Sequence, residues 1–208
     1  FWDDRPVDVS EVVNFIWSVA TLLHAVSYKD ADHRDVILPM TVLRRLECAL
    51  APTKEKVVAY AAEHPGAPEA VLKAKAGMEF FNKSPWTLEK LLSVKNQVQD
   101  LKDYISGFSE NVAEIFRRLR FDQQIDEMER KNVLYGVIKS FTGIDLSPRT
   151  VDSVKMGYVF EDLMRKFYET AEAGKQYTGR DIIRLMVSIL LSEGSEDVFR
   201  PAPVVTVL

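Results

Sequence analysis

A turn that opens a helix, at residues 176–181, has the clearest chemical potential in the sequence. Thr178 stands three positions before Asp181, a spacing in which both side chains bond free backbone N–H groups at a helix start. Apolar residues then recur at helical spacing as far as Leu190, which predicts an amphipathic helix. The free N–H groups around Gly179 give such a helix a positive end that binds anionic groups. The turn is therefore a candidate ligand-binding site, with an ordinary capped helical hairpin as the alternative interpretation.

The densest basic cluster in the chain is Arg117, Arg118 and Arg120. The planar guanidinium of arginine matches phosphate geometry, so the cluster is a candidate contact to DNA. Arginines at the end of a helix are equally expected from the helix dipole, and both interpretations stay open. A second pair, Arg44 and Arg45, is interpreted as a solvated helix face rather than a DNA or partner contact.

The sequence gives little support for a metal site, a nucleophilic cysteine or an acid–base pair. His24, His33 and His64 lie in different segments without a cysteine pair, so no metal site is predicted. Cys48 lies on an apolar helix stripe and is interpreted as a small core residue rather than a nucleophile. The acidic residues are dispersed, and no pair stands out for acid–base catalysis. Asn82 is interpreted as a turn or cap residue, with a ligand contact as the alternative.

Composition limits the class of protein. The 208 residues are 47% hydrophobic and 28% charged, which is globular and sufficient for one large domain or two small ones. The net charge of −4 argues against a standalone nucleic-acid-binding protein. The single cysteine excludes an internal disulfide and fits the cytoplasm, where thiols stay reduced. No apolar run approaches the roughly 18 residues of a membrane span, and no signal peptide is visible, so no membrane contact is predicted.

Helical periodicity runs through most of the chain and predicts an all-α, multi-helix bundle. The polar segment 28–35 is predicted to be a turn, and Pro39 to kink the second helix or mark its first turn. The β-branched run 204–208 predicts the beginning of a strand. The first predicted helices cover residues 8–26 and 35–50, and a third is opened by Pro52. Residues 67–77 are predicted to be a short helix or an ordered loop. Further helices are predicted from Ser84 or Thr87, over 94–105, over the NVAEIF segment, over 122–141 as a single helix, over 154–171 and after Thr178.

Several segments, in order and spacing, resemble the modification subunits of type I restriction–modification systems. These subunits are adenine-specific DNA methyltransferases. The first is a tryptophan-containing helix followed by ILPMTVLRRL, and FFNKS and GFSENVAEIF lie mid-chain. The last is MGYVFEDLMRKF, followed by a YTGRD turn and the helix IIRLMVSILL. One departure is Gly179, where the family usually has a proline that fixes the first helical turn in advance.

The resemblance implies a longer protein. Residues 1–150 would form an N-terminal helical domain, and residues 151–208 a helical hairpin and linker whose final strand leads into a Rossmann-like methyltransferase domain. It also implies S-adenosylmethionine as cofactor and a helical region that clamps DNA. The implied protein partners are a specificity subunit, a second modification subunit and an endonuclease subunit. The residues implied to contact the cofactor are Gln176, Tyr177, Thr178, Gly179 and Arg180.

Two elements of that chemistry do not occur in the 208 residues. Methyl transfer of this kind uses a Gly-rich turn after a strand to hold the cofactor, and the family grips the flipped adenine with an Asn-Pro-Pro-aromatic loop. No catalytic residue is therefore predicted here, and the chain alone is expected to be inactive. The alternatives are a non-enzymatic helical scaffold or adaptor that binds proteins, and a small DNA-binding regulator, which the negative charge disfavours.

Overall fold

The computed structural model describes residues 8–26, 28–170 and 180–190. Their regular secondary structure is helical, which confirms the predicted all-α bundle, and the predicted strand 204–208 lies outside them. The chain divides into two units, residues 1–171 and 172–208. The helices are α1 Ser10–Ala25, α2 Asp30–Leu50, α3 Lys54–Glu63, α4 Glu69–Ala76, α5 Leu88–Leu91, α6 Gln97–Ser106, α7 Glu110–Arg118, α8 Phe121–Arg130, α9 Leu134–Thr142, α10 Ser153–Thr170 and α11 Arg180–Leu190.

Helices α1 and α2 form the centre of the first unit. Helix α1 packs against α2, α9 and α10, and α2 also contacts α8, α9 and α10. Large apolar side chains of both helices are completely or almost completely buried between these neighbours, which makes this the main core. They include Ile16, Leu23, Ile37, Met40 and Leu43.

Helix α2 begins earlier than predicted. Residues 30–35 are helical, so the interpretation of the whole segment 28–35 as a turn was wrong. Pro39 lies at the tenth position of the helix and therefore does not mark its first turn. An internal proline costs a helix about 3 kcal/mol, but each fully buried apolar side chain returns about 1.5–3 kcal/mol. Val36 and Ile37 are fully buried around the proline, so packing outweighs the local propensity.

The predicted helix 122–141 is two helices, α8 and α9. Asn132 between them has φ 55°, a left-handed conformation that asparagine adopts more readily than most residues. The Val133 N–H donates to the Met128 carbonyl at 2.9 Å, and the Asn132 N–H to the Glu129 carbonyl at 2.8 Å. These are the two bonds of a Schellman helix end. The break was missed because asparagine signals a helix end less strongly than glycine does.

Two short helices follow their sequence signals closely. The Thr87 side chain accepts a hydrogen bond from the Lys90 N–H at 3.2 Å, which confirms Thr87 as the start of α5. Gly77 has φ 67° and ends α4 in the left-handed conformation that favours glycine.

No helix among the described residues is long and apolar enough to cross a membrane.

Helix α10 is buried against the start of the chain. Val159 and Leu163 are fully buried, and the ring of Phe167 lies 5.1 Å from the ring of Trp17 on α1. The helix therefore packs on α1 and α2 within the first unit. A domain boundary at residue 150 stays a prediction.

Candidate functional site

The predicted cofactor turn falls almost wholly outside the described residues. Gln176, Tyr177, Thr178 and Gly179 lie there, and Arg180 is the first residue of α11. The predicted helix after the turn is therefore present. Five of its large apolar residues, Ile182, Ile183, Leu185, Met186 and Ile189, are 47–63% exposed.

The predicted DNA-contacting arginines lie on the surface at the end of α7. Arg117 forms an ion pair with Glu110, and Arg118 with Glu114 at 2.5 Å, all four side chains being well exposed. Exposed pairs of this kind contribute about 0–1 kcal/mol, so exchanging a carboxylate for a phosphate costs little. Arg120 is exposed, and no acidic side chain among the described residues pairs with it. A DNA contact and a simple response to the helix dipole both stay possible interpretations of the cluster.

Arg44 is not a solvated residue, so that interpretation was wrong. Its side chain is only 16% exposed and pairs with Glu47 at 2.9 Å. Its Nε donates to the Ile144 carbonyl at 2.8 Å, and its Nη2 to the Thr142 carbonyl at 3.2 Å. The residue thus binds the free carbonyls where α9 ends, which sequence spacing cannot show because the partners lie about 100 positions away.

Arg45 also points into the protein, so its interpretation as part of a solvated helix face was wrong as well. Its Nη1 donates to the Leu146 carbonyl at 2.6 Å and to the Val151 carbonyl at 2.5 Å. Burial lowers the pKa of the guanidinium, with Cys48, Asp152 and Asp145 acting in the opposite direction. Together the two arginines fix residues 142–151, the segment that delivers the chain to α10. Sequence reasoning missed this positioning role.

Glu47 is the centre of a buried polar network. One carboxylate oxygen accepts from Arg44, and the other accepts from the Leu88 N–H and the Tyr104 hydroxyl, each at 2.9 Å. Burial and the Glu47 carboxylate raise the pKa of Tyr104 well above its ordinary value, so this hydroxyl remains a donor. The network joins α2, α5 and α6 through the Glu47 side chain, which is only 12% exposed. An acid three positions after Arg44, within the mostly apolar second half of α2, was the available sequence signal.

Asn82 turns the chain, as its preferred interpretation predicted. Its Oδ1 accepts from the Ser84 N–H at 2.8 Å, and its Nδ2 donates to the Tyr104 carbonyl at 2.9 Å. Residues 81–83 run antiparallel to 107–109, with Asn82 bridged to Phe108. The FFNKS and GFSENV motifs therefore meet in space and hold each other.

The histidines and the cysteine do not assemble a metal centre among residues 8–26, 28–170 and 180–190. His24 and His33 come together edge to face, with ring centroids 6.5 Å apart, which the sequence did not indicate. Cys48 is half-buried against the core, and burial raises the pKa of its thiol. That direction opposes thiolate formation and supports a packing role.

A half-open cleft of about 1130 Å³ lies beside this network. Its partly or fully buried lining residues include Glu47, Lys54 and Tyr104, which we term its floor, and Asp145, Ser147, Pro148 and Arg149 also line it. Apolar wall residues include Leu50, Val58 and Met78. No sequence signal marked the cleft, because its residues come from separated segments of the chain.

Comparison with known protein families decides the assignment. The family model for the HsdM N-terminal domain matches residues 12–141, more than half of the chain and nearly all of α1 to α9. The chain belongs to this family. No curated protein sequence gives a significant match to the chain.

Membership places the chain in a type I restriction–modification methyltransferase subunit. Subunits of that kind act with DNA and with the other subunits of their restriction–modification system. The matched range contains Arg44, Arg45, Glu47 and the whole Asn82 turn. The Glu47 network, formed with Arg44, Leu88 and Tyr104, therefore lies wholly within the matched range.

Proposed function

We propose that this chain is the N-terminal part of a subunit that transfers a methyl group from S-adenosylmethionine to adenine N6 in DNA. The observation that carries the proposal is the HsdM match over α1 to α9. In the proposed arrangement the helical region clamps DNA, contacts the specificity subunit and reaches the edge of the cofactor. A second modification subunit and an endonuclease subunit complete the assembly.

The cofactor edge is proposed at residues 176–180, directly before α11. Because α11 begins at Arg180, the free backbone N–H groups of its first turn adjoin Tyr177 and Thr178 in the sequence. S-adenosylmethionine carries a carboxylate, which is an anion of the kind that helix starts attract.

The DNA contact is proposed at Arg117, Arg118 and Arg120. Their guanidinium groups are exposed, and the carboxylates beside Arg117 and Arg118 lie in surface pairs that phosphate can replace. Arg120 has φ 50°, an uncommon conformation for a side-chain-bearing residue. Replacing Arg120 with glycine therefore removes the charge without adding backbone strain.

The triple substitution Arg117→Ala, Arg118→Ala and Arg120→Gly tests this contact in the methyltransferase assembled with its specificity subunit. We expect duplex affinity to fall at least about tenfold, and the slope of log K against log salt concentration to decrease by about 0.9 for each phosphate that the protein no longer neutralises. Fluorescence anisotropy across a salt series measures both quantities. Arg34→Ala is the matched control, since Arg34 is also exposed and paired with a carboxylate. An unchanged salt slope in the triple variant would exclude these arginines as DNA contacts.

A further inference from the structure

Lys54 is a half-buried cation on the floor of the cleft beside the Glu47 network. Its Nζ donates to the Asn82 Oδ1 at 2.6 Å and lies 5.0 Å from the centroid of the Tyr104 ring. Both contacts are to neutral groups. A buried charge is costly unless it is paired with an opposite charge, and these contacts offset only part of that cost.

The acid that acts on the charge of Lys54, Glu47, does not pair with it. Glu47 attracts the ammonium at long range, but its two oxygens are occupied by Arg44, the Leu88 N–H and the Tyr104 hydroxyl. No other carboxylate among the described residues lies within ion-pair distance of Lys54. Lys90 lines the same cleft and opposes the charge of Lys54. The cleft therefore has an ammonium at its floor whose counter-ion the described part of the protein does not supply.

The remainder of the lining restricts which anion would fit. The basic lining residues Arg44, Lys54, Lys90 and Arg149 are matched in number by the acidic ones, Glu47, Glu55, Glu89 and Asp145. A lining that is neutral as a whole disfavours polyanions such as nucleic acid. Such a lining still accommodates a single anionic group beside the half-buried Lys54. Apolar side chains such as Leu50, Val58 and Met78 add a surface for an apolar body attached to that group.

We propose that this cleft binds an organic carboxylate with an apolar body, its carboxylate pairing with the Lys54 ammonium between Asn82 and Tyr104. The ligand has two possible sources with the same chemistry: a free small carboxylate, or an acidic side chain within an apolar peptide segment. The proposal is independent of the methyltransferase function.

The titration of Lys54 supports this assignment. Burial, together with the charge of Lys90, lowers the pKa of Lys54 to about 8, and Glu47 opposes the change. The hydroxyl of Tyr104, whose ring lies beside Lys54, stays neutral because burial raises its pKa. A carboxylate ligand stabilises the ammonium, so its affinity is expected to fall as pH rises through 8 and Lys54 loses its proton.

Titration of the full 208-residue chain with octanoate tests the proposal. Methyl-¹³C methionine spectra report occupancy through the Met78 resonance, since Met78 lines the cleft. We expect saturable shifts at pH 7, an affinity about tenfold weaker at pH 9, and at least tenfold weaker binding with Lys54→Met at pH 7. The matched control is Lys56→Met, because Lys56 is an exposed lysine on the same helix and does not line the cleft. This variant should bind octanoate like the parent chain.

Three other probes decide the ligand class. Octanol should bind at least tenfold more weakly than octanoate, and inorganic phosphate should not displace it. A blocked Leu-Glu-Leu peptide that binds more tightly than octanoate identifies a peptide side chain as the source, and the reverse order identifies a free carboxylate. Equal binding of octanol, stronger binding of phosphate, absence of octanoate binding, or unchanged affinity in Lys54→Met overturns the proposal. Thermal unfolding of Lys54→Met confirms that a loss of binding occurs in a folded chain.

Discussion

Glu47→Ala is expected to lower the free energy of unfolding by about 3–5 kcal/mol, the usual cost of breaking a buried ion pair from one side. The substitution leaves the Arg44 guanidinium without its carboxylate at a site that is only 16% exposed. It also leaves the Leu88 N–H and the Tyr104 hydroxyl without their acceptor. Each unsatisfied buried donor adds roughly 1–3 kcal/mol, although effects within one network are not additive. The loss is a large fraction of the stability of a domain.

Urea unfolding followed by circular dichroism measures this loss, with two control variants. Glu47→Gln preserves the shape of the side chain, but its amide NH2 replaces one of the two oxygens that accept hydrogen bonds. We expect it to lower the free energy of unfolding by less than Glu47→Ala does. Glu63→Ala removes an exposed carboxylate near the end of α3 and should change the free energy of unfolding by no more than about 0.5 kcal/mol. A loss below about 1 kcal/mol for Glu47→Ala would contradict the network as the structure shows it.

Gly107→Ala is expected to lower the free energy of unfolding by about 3 kcal/mol, at the upper end of the range for overpacked sites. A Cβ at this position would lie 2.5 Å from the Ser84 Cβ, 2.9 Å from the Ser84 backbone nitrogen and 3.1 Å from the Asn82 Oδ1. Neither backbone-anchored atom of Ser84 can move away alone. The reason is steric and not conformational, since Gly107 has φ −73°. Relief requires residues 81–84 to separate from 107–109, which breaks the bond from the Lys83 N–H to the Gly107 carbonyl.

The matched control for Gly107→Ala is Gly157→Ala. Gly157 lies inside α10 with no atom within 4 Å of an added Cβ, so alanine should stabilise the chain by up to about 1 kcal/mol through helix propensity. Differential scanning calorimetry distinguishes the two variants by opposite shifts of Tm. If Gly107→Ala unfolded at the parent temperature, the close approach of the two motifs would be contradicted.

The fold class was predictable because its signals are local. Thr87 caps α5, and Gly77 ends α4, as their residue types indicate. The failures at residues 30–35 and at Asn132 have a different cause. At residues 30–35 the polar side chains favoured a turn, but the helix that buries Val36 includes them. At Asn132 the helix does end, but the end was missed because buried apolar residues such as Met128 and Leu134 lie on both sides of it and imitate one continuous helix.

The polar network could not be predicted, because its partners are distant in sequence. Arg44 and Arg45 followed a pattern typical of an exposed basic pair, yet both bind carbonyl groups about 100 residues away. Only the folded chain places those carbonyls beside α2. Asn82 was predictable, in contrast to these arginines, because the tendency of asparagine to form a turn is local. Its interpretation as a turn residue is confirmed. The cofactor residues at the turn before α11 stay a prediction.

Arg44 and Arg45 lie in the ILPMTVLRRL motif, which carries part of the family resemblance. Their hydrogen bonds give this motif a structural role. Because Arg44 and Arg45 bind backbone carbonyl groups, any change there alters the path of residues 142–151 rather than a surface charge. That path leads into α10, which packs on α1 and α2. The N-terminal helices and the helix that precedes the proposed cofactor turn are thereby one packed body within the first unit.

Transfer of a labelled methyl group is the most direct test of the proposed methyltransferase function. The complete modification subunit, assembled with its specificity subunit, is incubated with duplex DNA and methyl-labelled S-adenosylmethionine, and the DNA is then digested to nucleosides. We expect the label in N6-methyldeoxyadenosine, and we expect Tyr177→Ala to raise the KM for S-adenosylmethionine more than it lowers kcat. Label in a methylated cytosine, or no methylated base despite bound cofactor, would contradict the proposal.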